Sequence, residues 1–323
     1  MAPLSPPGVA VIIPCYNAAP WIAETLVSVV AQGGVVAEIV LVDDGSDDGS
    51  VEVAAALSIP ALRIIRQSRL GASRARNAGT AATNAPLVQY LDADDVLLPG
   101  TLEARVDAID RSGADVVYTD FVRWERQSDG RFADGITQAR ILSHRPDAEI
   151  LVDAWWPPGA LLYRRSLVER ILPWREDLPV IQDARFLLDA ALAGARFEHL
   201  PRAGLRYRVH GTQSLSRRDP RAFVNDCHHS ITDVDRTWVA ANAIDEVRRR
   251  ALVLAYGSLA RAYFPLDRAR FGQVVARLLE LDPHYLPDSP PLFKWLATLV
   301  GYPRAEYVAA WLRPLLHRFG VAG

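Results

Sequence analysis

Three carboxylates in four positions, Asp92, Asp94 and Asp95 around Ala93, close the apolar run Val88-Gln89-Tyr90-Leu91. Like charges crowded at a strand end repel one another unless a cation sits among them. Carboxylates at alternate positions offer oxygen ligands, and Mg2+ or Mn2+ is held by one or two of them together with substrate phosphates. The competing reading is a polar turn that caps the helix after it. A second acidic cluster, Asp43-Asp44-Gly45-Ser46, closes the run Glu38-Ile39-Val40-Leu41-Val42. There an Asx-turn with Gly45 competes with ligand binding.

Both clusters follow short, uninterrupted apolar runs, and so does the loop after Val9-Ala10-Val11-Ile12-Ile13-Pro14. Runs of this length and β-branched content predict buried strands. Between them lie helical patterns: Ile22, Leu26, Val29 and Val30 on one face, then Val51 to Leu57, then a small-residue helix from about Ala72 to Thr83. Such alternation predicts an α/β fold with a doubly wound, mostly parallel central sheet. In such sheets ligands bind beyond the carboxyl ends of the strands. Tyr16, Asn17, Asp43, Asp44 and Asp92 to Asp95 are therefore expected on one rim.

Further along, Leu102, Val106 and Ile109 predict an amphipathic helix, and Ala114 to Asp120 another strand. Arg123 to Ala139 is polar and irregular, suiting a surface hairpin or loop. Trp155-Trp156-Pro157-Pro158-Gly159 reads as a rigid aromatic loop, either lining an acceptor site or plugging the core. Leu205 to His210 alternates like an edge strand. Beyond about Pro220 strand signals vanish, and residues 221–282 read as two or three amphipathic helices. The expected organisation is a domain with halves 1–100 and 101–220, followed by a C-terminal helical extension over 221–323.

With 323 residues, half of them hydrophobic, and a net charge of −2, the chain has no electrostatic footprint for nucleic acid. Two cysteines, Cys15 and Cys227, make no disulfide framework. The start, Met1 to Pro7, lacks the basic and apolar regions of a signal peptide, and no apolar stretch reaches about 18 residues. The expected setting is cytoplasmic. From Leu292 to Phe319 there are four basic residues, one acidic residue and two tryptophans. That composition suits either core packing or helices lying at an anionic membrane face.

Four motifs occur in order: Val11-Ile12-Ile13-Pro14-Cys15-Tyr16-Asn17, Val42-Asp43-Asp44-Gly45-Ser46, Gly71-Ala72-Ser73-Arg74-Ala75-Arg76-Asn77-Ala78-Gly79 and Leu91-Asp92-Ala93-Asp94-Asp95. Together they resemble the family 2 glycosyltransferases, inverting enzymes of the GT-A fold, over roughly residues 8–216. The resemblance implies a nucleoside diphosphate sugar donor, UDP-linked by family habit, and a divalent cation, Mn2+ or Mg2+. It implies that Pro14, Tyr16 and Asn17 lie along the nucleotide base, with Tyr16 stacking on it. Asp44, or otherwise Asp43, would accept a hydrogen bond from the base. Gly71 and Arg76 would adjoin the nucleotide, the arginine serving phosphate or an active-site carboxylate. Asp92, Ala93 and Asp94 form the Asp-x-Asp segment, with Asp94 on the metal and Asp92 on ribose or metal.

The resemblance further implies that Gln182-Asp183 opens a helix in the acceptor half, making Asp183 the general base; the competing reading is a helix N-cap. Tyr207 to Ser216 resembles a segment near the end of many members, with His210 a further metal ligand or diphosphate contact and Arg208 reaching phosphate. The acceptor would be a glycan or lipid-linked hydroxyl. Peripheral contact at the inner membrane face and a homodimer are compatible with the tail. The chain departs from some relatives in lacking a membrane span, so single-sugar transfer is expected over processive synthesis. A nucleotidyltransferase would instead carry a Gly-rich basic loop after the first strand, which Pro14 to Pro20 lacks. A non-catalytic nucleotide-sugar-binding module is the remaining alternative.

Overall fold

The computed structural model describes residues 8–210, 219–287 and 290–318. Met1 to Pro7, Gly211 to Ser216 and Phe319 lie outside them. Two compact units are present, Met1–Pro220 and Arg221–Gly323.

In the first unit the described residues form one sheet of nine strands. Four parallel strands come first: β1 (Val9–Cys15) flanked by β2 (Val36–Asp43) and β4 (Leu87–Tyr90), with β3 (Leu62–Arg66) beyond β2. β1 and β4 are buried along their whole length, which is why they read as continuous apolar runs rather than alternating ones. Between them run α1 (Ile22–Val30), α2 (Ser50–Ala56) and α3 (Ala72–Ala81). α3 lies close enough to the sheet that a Cβ on Gly79 would come within 2.5 Å of Ile12 Cγ2. Only glycine fits there.

Beyond β4 the sheet changes direction. After β5 (Val96–Leu97) and α4 (Thr101–Ser112) come β6 (Val116–Arg126), β7 (Phe132–Gln138), α5 (Pro146–Val152), β8 (Leu161–Arg164), α6 (Arg165–Ile171), α7 (Gln182–Leu192) and β9 (Phe197–Val209). β8 inserts antiparallel between β4 and β6, so the sheet is mixed with most strands parallel. The polar segment from Arg123 is a hairpin of β6 with β7. β9 is not an edge strand: it runs parallel to β6 on one side and carries β5 on the other. Its polar first half hides the pairing from a hydrophobic pattern, and the register shifts against β6 between Thr119 and Phe121.

The second unit is helical: α8 (Pro220–Ala240), α9 (Glu246–Leu266), α10 (Arg268–Leu281), α11 (Pro291–Val300) and α12 (Tyr302–Arg318). Asp245 and Asp267 cap α9 and α10 by accepting from backbone N–H groups. On α8, His228 is half-buried on Tyr263, with Nδ1 3.2 Å from the hydroxyl. No described helix is long and apolar enough to cross a membrane.

Candidate active site

The ends of β1, β2 and β4 bring three loops together. Asn17 takes a left-handed conformation (φ 49°) and laces the first loop to the second. Its amide donates to Asp47 Oδ1 at 2.9 Å and accepts from the Asp47 N–H at 3.0 Å. Pro14 is buried within β1, while Tyr16 is 38% exposed. The Arg69 guanidinium lies 4.4 Å over the Tyr16 ring, on a face where stacking was expected.

Asp43 and Asp44 divide their work. Asp44 accepts three hydrogen bonds, from Gln67 Nε2, the Leu70 N–H and the Gly71 N–H, at 2.7–2.8 Å. It thereby pins the loop that leads into α3 and sets Gly71 at a φ of 93°, open to glycine. Among the described residues Asp43 accepts only the Ser46 N–H, at 3.2 Å, an Asx-turn that leaves most of its acceptor capacity unused there.

Arg76, expected to serve phosphate or an active-site carboxylate, is turned to a carboxylate of the acidic turn. Its guanidinium, 3% exposed, donates to Asp92 Oδ1 at 2.5 Å and to Gln182 Oε1 at 3.1 Å, and lies 4.5 Å over the Trp174 ring. Gln182 Oε1 also accepts from Ser73 Oγ at 2.7 Å. Gln182 thus ties α3 to the start of α7, where Asp183 follows.

Asp183 Oδ1 accepts from the Ala184 N–H and Oδ2 from the Trp155 indole N–H, both at 2.8 Å. Burial pushes its carboxyl above the ordinary carboxylate range despite both bonds. The adjacent tryptophans face apart. Trp155 is half-buried on Asp183; Trp156, 2% exposed, packs against Tyr118 as a core plug.

In the acidic turn, Asp94 Oδ2 lies 2.8 Å from His210 Nε2. Asp92 is turned to Arg76, and burial and the neighbouring Asp94 raise its pKa. Ala93 offers its carbonyl to Thr25 Oγ1 at 2.9 Å. Asp95 does not cap a helix, since β5 follows it. Its Oδ1 accepts the Arg208 N–H at 2.9 Å, whereas Oδ2 is buried without a partner among the described residues. Burial and the adjoining aspartates lift Asp95 well above the usual range.

Arg208, expected to reach phosphate, is held within the protein. It is 3% exposed, its Nη2 donates to Glu24 at 2.6 Å and its Nε to the Asp94 carbonyl at 2.7 Å. The guanidinium lies 4.4 Å from the ring of Trp21, 4.1 Å from Trp124 and 4.6 Å from Phe132. This aromatic cage was missed by sequence reasoning, because its rings come from the residue before α1 and from the β6–β7 hairpin.

Among the described residues no three His, Cys, Asp or Glu side chains converge as a metal cage. A cation completed by donor phosphates needs only one or two carboxylates. The donor set fits such a hard ion: oxygen ligands at Asp94 and Asp92, an imidazole beside them, and an unsatisfied buried oxygen on Asp95.

Residues 10–172 match the family described as Glycosyl transferase family 2. The uncharacterized glycosyltransferase EpsJ of Bacillus subtilis is 31% identical over 212 residues, 62% of this chain and 61% of that protein. The succinoglycan biosynthesis protein ExoO of Rhizobium meliloti is 30% identical over 213 residues, 63% of this chain and 61% of that protein. The matches thus span about three-fifths of these relatives' length. Among solved structures, S. aureus TarS 1-349 superposes with a TM-score of 0.58 at 21% identity, covering 96% of this chain and 86% of that one. TarS shares the fold of a mostly parallel sheet with a helical C-terminal region. The chain belongs to the family 2 glycosyltransferases.

Proposed function

We propose that this glycosyltransferase moves a single sugar from a nucleoside diphosphate sugar, with uridine as the base, to a hydroxyl of a glycan or lipid-linked acceptor, with inversion. The observation that carries this reading is the acidic turn Asp92 to Asp95 after β4 together with Asp183, whose charge reaches Asp92 and whose Oδ2 accepts from the Trp155 indole. Uridine is supported by the likeness to TarS, solved with UDP and with UDP-GlcNAc. ExoO, by its name a succinoglycan biosynthesis protein, supports a polysaccharide setting.

In this reading Pro14, Tyr16 and Asn17 line the base, and Asp43 or Asp44 accepts from it. Asp43 has the spare acceptor capacity, while Asp44 and Gly71 shape the loop. Arg76 orients Asp92 toward ribose. Asp94, Asp92 and His210 would hold a divalent cation, Mn2+ or Mg2+, with Ala93 spacing the two carboxylates. When bound, that ion would supply positive charge against the diphosphate of the departing nucleotide. Asp183 takes the proton of the acceptor hydroxyl as its oxygen bonds to the anomeric carbon. The bond from that carbon to the diphosphate breaks on the opposite face, and its electron pair leaves with the nucleotide. Burial keeps Asp183 more basic than an ordinary carboxylate, which favours this transfer.

Residues 1–100 would then serve the donor and 101–220 the acceptor. In the helical unit Leu292, Trp295, Leu299, Tyr307 and Trp311 are exposed, beside exposed Lys294 and Arg304, while the acidic Glu306 is buried. This surface supports peripheral contact with an anionic inner membrane face. Sedimentation with anionic vesicles, lost on replacing Trp295 and Trp311 by alanine, tests it. A homodimer through the same helices would show instead as doubled mass in light scattering.

The donor site is tested by thermal shift with UDP, with and without Mn2+, on wild type and Asp94→Ala. A ligand at a hundredfold excess over Kd stabilises by about 2.7 kcal/mol. A metal-dependent rise abolished by Asp94→Ala is expected. A folded wild type that responds to no nucleoside diphosphate defeats the reading and favours a protein that has lost donor binding.

A further inference from the structure

Tyr207 sits on β9 between two arginines whose side chains turn the other way. Arg206 pairs with Asp134 on β7 at 2.7 Å, and Arg208 fills its aromatic cage. Strand alternation therefore sends Tyr207 to the opposite face. There its ring meets Trp155 edge-on at 5.5 Å and Phe121 at 6.0 Å. Trp155 is the residue that holds Asp183, so the phenol and that carboxylate are positioned by a single indole.

The phenol lies in the combined field of Asp92, Asp94, Asp95 and Asp183. Burial first, and those four charges next, raise its pKa, so it stays a neutral O–H donor. The ring is half-buried, and the hydroxyl makes no hydrogen bond with any described residue and is not among the buried atoms sealed without a partner. A phenol beside Trp155 that the rim carboxylates' charges reach, and that bonds no described residue, leaves its hydroxyl to a polar ligand in the space beside it. That space is shared by the donor-side aspartates and the acceptor-side base. Only the transferred sugar must touch both sides.

We propose that Tyr207 is a substrate-contacting residue whose hydroxyl donates a hydrogen bond to the sugar being transferred. The inference rests on the glycosyl-transfer reading above. It adds a determinant of sugar recognition that the four motifs do not contain, since β9 lies downstream of all of them.

The test compares wild type with Tyr207→Phe by calorimetric titration of UDP, UDP-glucose, UDP-galactose and UDP-GlcNAc in the presence of Mn2+, together with ligand-free melting. Tyr207→Phe is expected to melt with wild type and to bind UDP within about twofold of it. It should bind the UDP-sugar that wild type prefers roughly three- to twelvefold more weakly, the range for one neutral hydrogen bond. Equal affinity for that UDP-sugar in the two proteins overturns the proposal. An equal loss for UDP and UDP-sugar also overturns it, by moving the contact to the nucleotide, and a lowered ligand-free melting temperature does so by making the hydroxyl structural. A wild type that binds UDP but gains nothing from any appended sugar defeats this inference alone. A wild type that binds neither defeats the glycosyl-transfer reading itself.

Discussion

Replacing Arg208 by methionine should destabilise the first unit by around 3 kcal/mol. Methionine keeps much of the side-chain volume, so the loss is chiefly polar. Three contributions enter. The two charge-assisted bonds, to Glu24 and to the Asp94 carbonyl, are worth about 1.5–3 kcal/mol each when both partners are buried. The Glu24 side chain is 50% exposed, however, and regains water, so that bond is discounted heavily. The cage of Trp21, Trp124 and Phe132 adds about 2 kcal/mol of cation–π attraction to a desolvated guanidinium. Part of that returns as methionine–aromatic contact. For a unit of this size 3 kcal/mol corresponds to about 6–12 °C in melting temperature. Tryptophan fluorescence reports it directly, since Trp21 and Trp124 line the cage. Arg208→Lys should rescue little, because an ammonium cannot bond Glu24 and the carbonyl as a planar fork does. A loss below about 1 kcal/mol for Arg208→Met would refute the view that the cage anchors the acidic turn.

Trp155→Phe removes a hydrogen bond to the ionised form of Asp183, raising a pKa that burial has already lifted. Because the base must be deprotonated, the acid limb of the kcat/KM profile for sugar transfer should move up by about one pH unit while the plateau moves less; an unmoved limb would mean that Asp183 is not the titrating base. Gly79→Ala forces a methyl to within 2.5 Å of Ile12 Cγ2, so denaturant melts should show a loss of about 1–3 kcal/mol. A neutral result would show that α3 can lift from the sheet without cost.

The strands that carry the rim were legible because full burial leaves them as unbroken apolar runs, and Asp43, Asp44 and Asp92 to Asp95 fall at their ends accordingly. What failed to show were contacts decided by facing rather than by type. Arg208 has the chemistry of a phosphate ligand, and nothing beside it in the chain announces the three rings, drawn from distant segments, that enclose its guanidinium. Trp155 and Trp156 are identical in sequence terms, yet one steers a carboxylate and the other fills the core. In β9 the polar residues of the first half masked a strand paired on both sides, because its bend and register shift break any simple alternation. The signal for Tyr207 was present in the alternation from Leu205 to His210, but alternation names a face and not what that face looks upon.

Gln182 accepts at once from Ser73 and from Arg76, while Arg76 grips Asp92. One amide oxygen therefore holds the start of α7, where Asp183 sits, against α3. The halves cannot be exchanged as independent modules. A chimera that grafts a foreign segment after residue 100 must bring a hydrogen-bond acceptor at position 182, or Arg76 loses one of its two hydrogen-bonded anchors. Position 182 is thus the seam between α3 and α7 that such a graft has to preserve.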